Sequence, residues 1–194
     1  FNRIKKECCS QIPEPVISWK LVTTLTNGLN DTEFGKTIAM SEDGTFLAVI
    51  AQDTPSQVQG ENRKGSVHIF KRGGNNLYTE VSTHYPSANN MRIGNSGMTY
   101  QIGISHDGLT VIYQEQNMNT TTGSGVIIRK NANNNQFTQI HKLLVKNAGG
   151  TAQVAISGDA SRVAVASTNE KEIDIYKLNT ANQQYEKEGA TIEN

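Results

Sequence analysis

The chain has little with which to brace itself covalently or to attract a charged partner. Its 194 residues include two cysteines, and these are adjacent, Cys8 and Cys9. A bond between sequence neighbours strains the intervening peptide, so no disulfide staples distant parts of this chain together. Oxidised, Cys8 and Cys9 would link to other chains or to further polypeptide. Unpaired, they are two thiols in a leader. Eighteen basic residues balance eighteen acidic ones. That removes the basic field with which proteins gather nucleic acid or anionic membrane. No apolar run approaches the ~20 residues of a spanning helix. Aromatic content is 6% and charged content 19%, so the remainder is largely Asn, Gln, Thr, Ser and Gly. Such a composition fits many short strands joined by polar turns and excludes a disordered chain of high net charge. The chain starts at Phe1 with no signal-peptide pattern, as expected of a processed product or a piece of a longer polypeptide.

What is present is a phrase used three times. Residues 38–50 read IAMSEDGTFLAVI, 102–114 read IGISHDGLTVIYQ, and 154–166 read VAISGDASRVAVA. Aligned on Ser41, Ser105 and Ser157, apolar residues recur at a spacing of two on both sides of the Ser-x-Asp element. That spacing puts them on one face of a strand. Asp43-Gly44 and Asp107-Gly108 are hairpin signals, because Gly takes the positive φ of a tight turn. Asp159-Ala160 lacks that Gly, so a different turn type is expected in the third copy. Self-similarity at such a period means one supersecondary unit repeated.

A third run follows in each copy, at Gly65–Phe70, Gly125–Ile128 and Glu172–Tyr176. After an Asn/Gly-rich turn comes a fourth, at Leu77–Ser82, Phe137–Leu144 and near Tyr185. Repeated four-stranded antiparallel sheets are the pattern of propeller blades. The fold class expected is therefore all-β: about three blades plus one extra N-terminal outer strand, in a partial or oligomer-completed ring. Residues 1–15 read as a flexible leader. Residues 16–33 read as the lone outer strand, carrying Trp19, and a linker. The blades follow at 34–97, 98–149 and 150–190.

The segment Trp19–Leu25, with Phe34-Gly35, Ile38–Ser41, Asp43-Gly44, Leu47–Val49 and Gly65–Phe70, resembles the FG-GAP-type β-propeller repeat of integrin α-subunit heads. The resemblance covers roughly residues 16–190 and is best in the first copy. The Phe-Gly pair occurs once, and the usual Gly-Ala-Pro element is replaced by Ala51-Gln52-Asp53. No Trp-Asp dipeptide closes a third strand, as a WD-repeat propeller would have it. In integrin-like members some repeats carry an Asp-rich calcium loop. Here the corresponding turns offer Glu42-Asp43, His106-Asp107 and a lone Asp159, too few oxygens for calcium's six to eight. The resemblance implies a secreted or surface protein.

No residue set announces chemistry. His68, His84, His106 and His141 are not at metal-ligand spacing, and neither Cys joins them. Gly123-Ser-Gly125 and Gly94-Asn-Ser-Gly97 open no helix, so they lack the amide cradle of a phosphate loop. No catalytic, cofactor-binding or metal residue is expected, and the chain reads as not an enzyme. Asn30 and Asn119 head glycosylation sequons in loops. The connections between second and third strands, Gln52–Lys64, Glu115–Ser124 and Thr168–Lys171, are candidate binding loops. Three blades do not close a ring, so uncovered blade flanks must meet something. Candidate assembly residues are Trp19, Cys8 and Cys9. The function expected is a protein-interaction or structural module of an extracellular or cell-surface assembly. Its partners would be other proteins, further copies, or missing blades. A glycan- or ligand-binding adhesion propeller and a propeller enzyme acting at the ring mouth are the alternatives.

Overall fold

The computed structural model describes residues 21, 23–26, 33–55, 57, 59–60, 64–94, 102–120, 122–145, 152–167 and 169–193. Cys8, Cys9, Trp19 and Asn30 lie outside them, as does nearly all of the expected outer strand. Of that segment, residues 21 and 23–26 are described, and they are not in a strand.

Among the described residues every regular element is a strand. The first unit comprises β1 (Phe34–Met40), β2 (Phe46–Pro55), β3 (Lys64–Arg72) and β4 (Tyr78–His84). After β5 (Met91–Ile93) comes the second unit, β6 (Ile102–Ile104), β7 (Thr110–Asn117), β8 (Gly123–Lys130) and β9 (Phe137–Val145). The third unit is β10 (Ala152–Ile156), β11 (Arg162–Ser167), β12 (Glu172–Asn179) and β13 (Gln184–Lys187), followed by β14 (Ile192–Glu193). Within each unit successive strands pair antiparallel. The repeated phrase thus builds an all-β, propeller-type fold from four-stranded antiparallel units.

Register explains which face each residue takes. In the first unit, Phe46, Ala48 and Ile50 of β2 lie beside Val67 and Ile69 of β3 and face the second unit. There they meet Val111, Tyr113, Val126, Ile128 and Phe137. The alternate residues of the second unit, Ile112 and Ile127, face the third and meet Val154, Val163, Val165 and Tyr185. Each sheet is therefore apolar on both faces, one face per neighbour. Fully burying one such side chain is worth ~1.5–3 kcal/mol, so these two clusters are the main cohesion between units. A bulge between Ile69 and Phe70 recurs between Ile127 and Ile128. It leaves Val81 and Ile140 packed against the two clusters.

Three local expectations need correction. The third Ser-x-Asp turn does not differ from the others. Ala160 adopts φ 56°, in the place of Gly44 at 65° and Gly108 at 72°, and its N–H donates to the Ser157 carbonyl at 2.9 Å as the two glycines do to theirs. The first two candidate binding loops are shorter than read, since β2 runs to Pro55 and β7 to Asn117, whereas the third keeps its bounds between β11 and β12. Gly123-Ser-Gly125 is strand, not loop. β5 was not anticipated. It pairs antiparallel with β7 and touches β3 in parallel at Lys64↔Arg92, tying the first two units into one nine-stranded sheet.

Candidate functional site

The three Ser-x-Asp turns are built alike from their side chains. Ser41 Oγ donates to Asp43 Oδ1 at 2.8 Å and accepts from the Phe46 N–H at 2.9 Å. Ser105 and Ser157 do the same with Asp107 and Thr110, and with Asp159 and Arg162. Each Asp Oδ1 also accepts the N–H two residues on. The aspartates are thus spent on holding turns. Thr45, with Ser41 behind it, holds the Asp43 carboxyl down at about 2. Ser157 and then Ser161 hold Asp159 at about 2 likewise.

The middle residues of these turns form a column. The Glu42 N–H donates to the His106 carbonyl at 3.0 Å, and the His106 N–H donates to the Gly158 carbonyl at 2.7 Å. One backbone bond thus passes from unit to unit at the same place in each. Beside it the exposed side chains of Glu42 and His106 pair at 3.3 Å, and the His106 ring lies over Gly158, where a Cβ would meet it at 2.3 Å.

The flank of the third unit is the surface that stands out. By ladder position Ala164, Ala166, Ile173 and Ile175 match Ala48, Ile50, Val67 and Ile69 of the first unit. Those four are wholly buried against the second unit. In the third unit the matching face has no following sheet among the described residues. Ile173 is 40% exposed, Ala155 is exposed, and Ala164, Ala166 and Ile175 are half-buried. An apolar groove of about 260 Å³ runs there between Ala155, Ala164, Ile175 and Arg162. The opposite flank, on the first unit, is half covered. Leu25, Phe34 and Tyr78 pack over Leu47, Val49 and Phe70, while Ile38 and Met40 stand 61% and 53% exposed.

Sequence reasoning missed two polar constellations. On β3, Ser66 Oγ lies 2.8 Å from His68 Nε2, and His68 Nδ1 lies 3.2 Å from Glu80 Oε2 on β4. This is the order nucleophile, base, carboxylate. Ser66 is wholly buried and shares its hydroxyl with Thr54 Oγ1 at 2.8 Å. Alternation placed Ser66 and His68 on one face of a strand, but only the bulged ladder brings Glu80 to them. The second constellation is Glu115, 1% exposed, which pairs with Lys142 Nζ at 2.5 Å and accepts from the N–H and hydroxyl of Ser87. It ties the linker before β5 to the second unit. A cavity of about 390 Å³ opens between β9 and β12, with Glu170, Glu172 and Asp174 on its wall. Burial raises the Asp174 carboxyl, but Lys187 and Thr191 outweigh it and hold it below the usual range. Asn119 is exposed in the turn between β7 and β8, its N–H held by Asn117 Oδ1 at 2.9 Å. No helix among the described residues is long and apolar enough to cross a membrane.

No family model and no curated protein matches the chain. Among solved structures it is similar to a candidate 6-phosphogluconolactonase from Bacteroides fragilis, at TM-score 0.54 and 14% identity. The match covers 81% of this chain and 38% of that one. It is similar also to Hsv2 of Kluyvelomyces marxianus (TM-score 0.48, 10% identity, 81% of this chain and 46% of that one) and to prolyl oligopeptidase B of Galerina marginata (0.46, 12%, 81% and 21%). The chain spans less than half the length of each. These neighbours are propeller-like, and none is of the FG-GAP or integrin type. The likeness to the Bacteroides fragilis structure shows that the chain has a propeller-type fold. The expectation that it is not an enzyme is withdrawn. The fold is shared with a lactonase candidate, and the chain itself assembles a Ser66–His68–Glu80 triplet that sequence reading had not found.

Proposed function

We propose that this chain is a propeller segment serving as a protein-interaction and assembly module, and that the uncovered flank of its third unit is the docking face. One observation carries the reading. The positions that are sealed between units in two places, Ala48 with Ile69 and Ile112 with Ile127, recur at Ala164 and Ile175 only half-buried, with no following sheet over them among the described residues. An apolar sheet face of this kind on a rigid scaffold marks an association site. The FG-GAP-type affinity rests on the Phe34-Gly35 to Phe70 stretch of the first unit. The exposed Asn119 fits a surface or extracellular setting. The test is binding of the apolar dye bis-ANS to dilute protein. Fluorescence should rise with the wild-type chain and fall severalfold with Ala155→Asp or Ile173→Asp. A wild-type chain that leaves the dye dark while it is monomeric overturns the reading.

A second reading, ester or lactone hydrolysis, is favoured by the Ser66–His68–Glu80 distances alone. Its serine is sealed beneath the half-covered flank of the first unit and not at a ring mouth. An alkyl fluorophosphonate that labels the wild-type chain but not Ser66→Ala would support it, and an unlabelled wild-type chain would end it.

A further inference from the structure

We infer that the docking face of the third unit receives the first unit of a second copy of this chain, joined head to tail. The inference rests on the assembly reading above and names its partner. The existing junctions are its template. At the junction of the second and third units, Gly103 lies so close to Ile156 that a Cβ there would stand 2.9 Å from Cγ2. Counting from the aligned serines, a small residue occupies that position in every unit: Ala39, Gly103, Ala155. A long apolar residue occupies the facing position: Met40, Ile104, Ile156. Ile104 packs into the cluster between the first two units and Ile156 into the next. Among the described residues two of these are left without their counterpart, Ala155 at one end and Met40 at the other. A second copy supplies each with the other.

The backbone column points the same way. Its bonds run from the N–H of one turn to the carbonyl of the next, Glu42 to His106 and His106 to Gly158. The next bond in that series would run from the Gly158 N–H to a carbonyl in Glu42's position. The first unit of a second copy presents that carbonyl when Met40 sits over Ala155. Leu25 covers Leu47, Val49 and Phe70, whereas Ile38 and Met40, nearest the turn column, stay free for this contact. Two copies joined at both ends would bring together six sheets, within the range at which propellers close.

The test is the solution mass of the full chain, measured by sedimentation over a concentration series. Wild type should run at twice 21.2 kDa. Ala155→Asp and Met40→Asp alter opposite ends at exposed positions, and each alone should weaken association at least about tenfold, since each buries an unpaired carboxylate at both junctions. Mixed one to one, they should recover a dimer, because one junction then pairs two unaltered faces. Ile173→Asp and Ile38→Asp repeat the design should either first variant fail to fold. A monomeric wild type, a Met40→Asp chain that dimerises like wild type, or a mixture that stays monomeric overturns the proposal. A wild-type monomer that still binds bis-ANS at the Ala155 face leaves the docking reading standing and removes only the second copy. A dark monomer removes both.

Discussion

Gly108 lies beneath the ring of Phe46, so close that an added Cβ would stand 2.5 Å from Cδ2 and 2.8 Å from Phe46 Cβ. The turn of the second unit is therefore also a packing surface for the first. Phe46 in turn meets Phe137 edge to face, with ring centroids 5.9 Å apart. Gly44, its counterpart one unit earlier, has nothing nearer than 3.6 Å. Both residues sit at positive φ, where an L side chain costs ~1–2 kcal/mol. Gly44→Ala should lose only that amount. Gly108→Ala should lose about 3 kcal/mol or more, because Phe46 must also move. Urea midpoints of the two variants check this. Equal losses would mean that Phe46 yields freely.

The same pair shows how far the sequence could be read. Asp-Gly announced the turn and its positive φ at both places, and Ser-x-Asp marked the start of each unit. Alternation gave the faces of β2, β7 and β11, because side chains on a strand alternate whatever lies beyond. What covers a face is a relation between units, and no local pattern records it. Hence Phe46 over Gly108 was not legible, nor was Glu80 reaching His68 across a bulge. β5 escaped for another reason: Met91-Arg92-Ile93 is too short to show a period. The third turn was misread because Ala160 replaces the expected glycine. The Ser157 and Asp159 hydrogen bonds, with Tyr185 donating to the Ala160 carbonyl at 2.7 Å, hold that residue at positive φ.

Acid should weaken the fold in two separate windows. Burial holds the His84 imidazole down at about 4, with Ser82 Oγ 3.0 Å from Nε2. Between pH 6.5 and 4 the unfolded chain then binds more protons at this site than the folded chain does. Stability therefore falls as pH drops through that range, by up to about 3 kcal/mol, and this contribution levels off below pH 4. Asp43 and Asp159 act lower down. Their carboxyls are held at about 2 against an ordinary 3.8, so their contribution is intact above pH 3.8 and is lost as pH falls toward 2. Urea titrations at pH 7, 5 and 4 should show the first decline in wild type and a flatter course in His84→Asn. A His84→Asn variant with an undiminished slope would assign the titration elsewhere.

Lys142 is the counter-charge of a carboxylate that water scarcely reaches, since the Glu115 side chain is 1% exposed. Lys142→Met removes the ammonium from that carboxylate and leaves the Ser87 donors in place, at a cost of about 3 kcal/mol. Glu115→Gln in the same chain should restore most of the loss, because the neutral amide no longer needs the ammonium. The coupling in this double-mutant cycle should exceed about 1 kcal/mol. Additive losses would show that the two side chains do not depend on each other.

Gly65 should be the least replaceable residue of the first unit. It sits at φ 83°, and a Cβ there would lie 2.0 Å from the Ile93 carbonyl oxygen and 2.8 Å from that of Gln52. Both obstacles are backbone, so no side chain can rotate out of the way. The close approach is what lets β5 lie beside β3 at Lys64↔Arg92 while it pairs with β7. In Gly65→Ala either β5 leaves that seat or β3 shifts against β2. Either route uncovers Ile93, which is wholly buried. The loss should exceed 4 kcal/mol, in the range reserved for broken backbone contacts and opened cores. Hydrogen exchange should show it first at Met91–Ile93 and along the start of β3, before the third unit responds. Uniform loss of protection across all three units would instead mean that the chain unfolds as one body and that β5 is no separate seam.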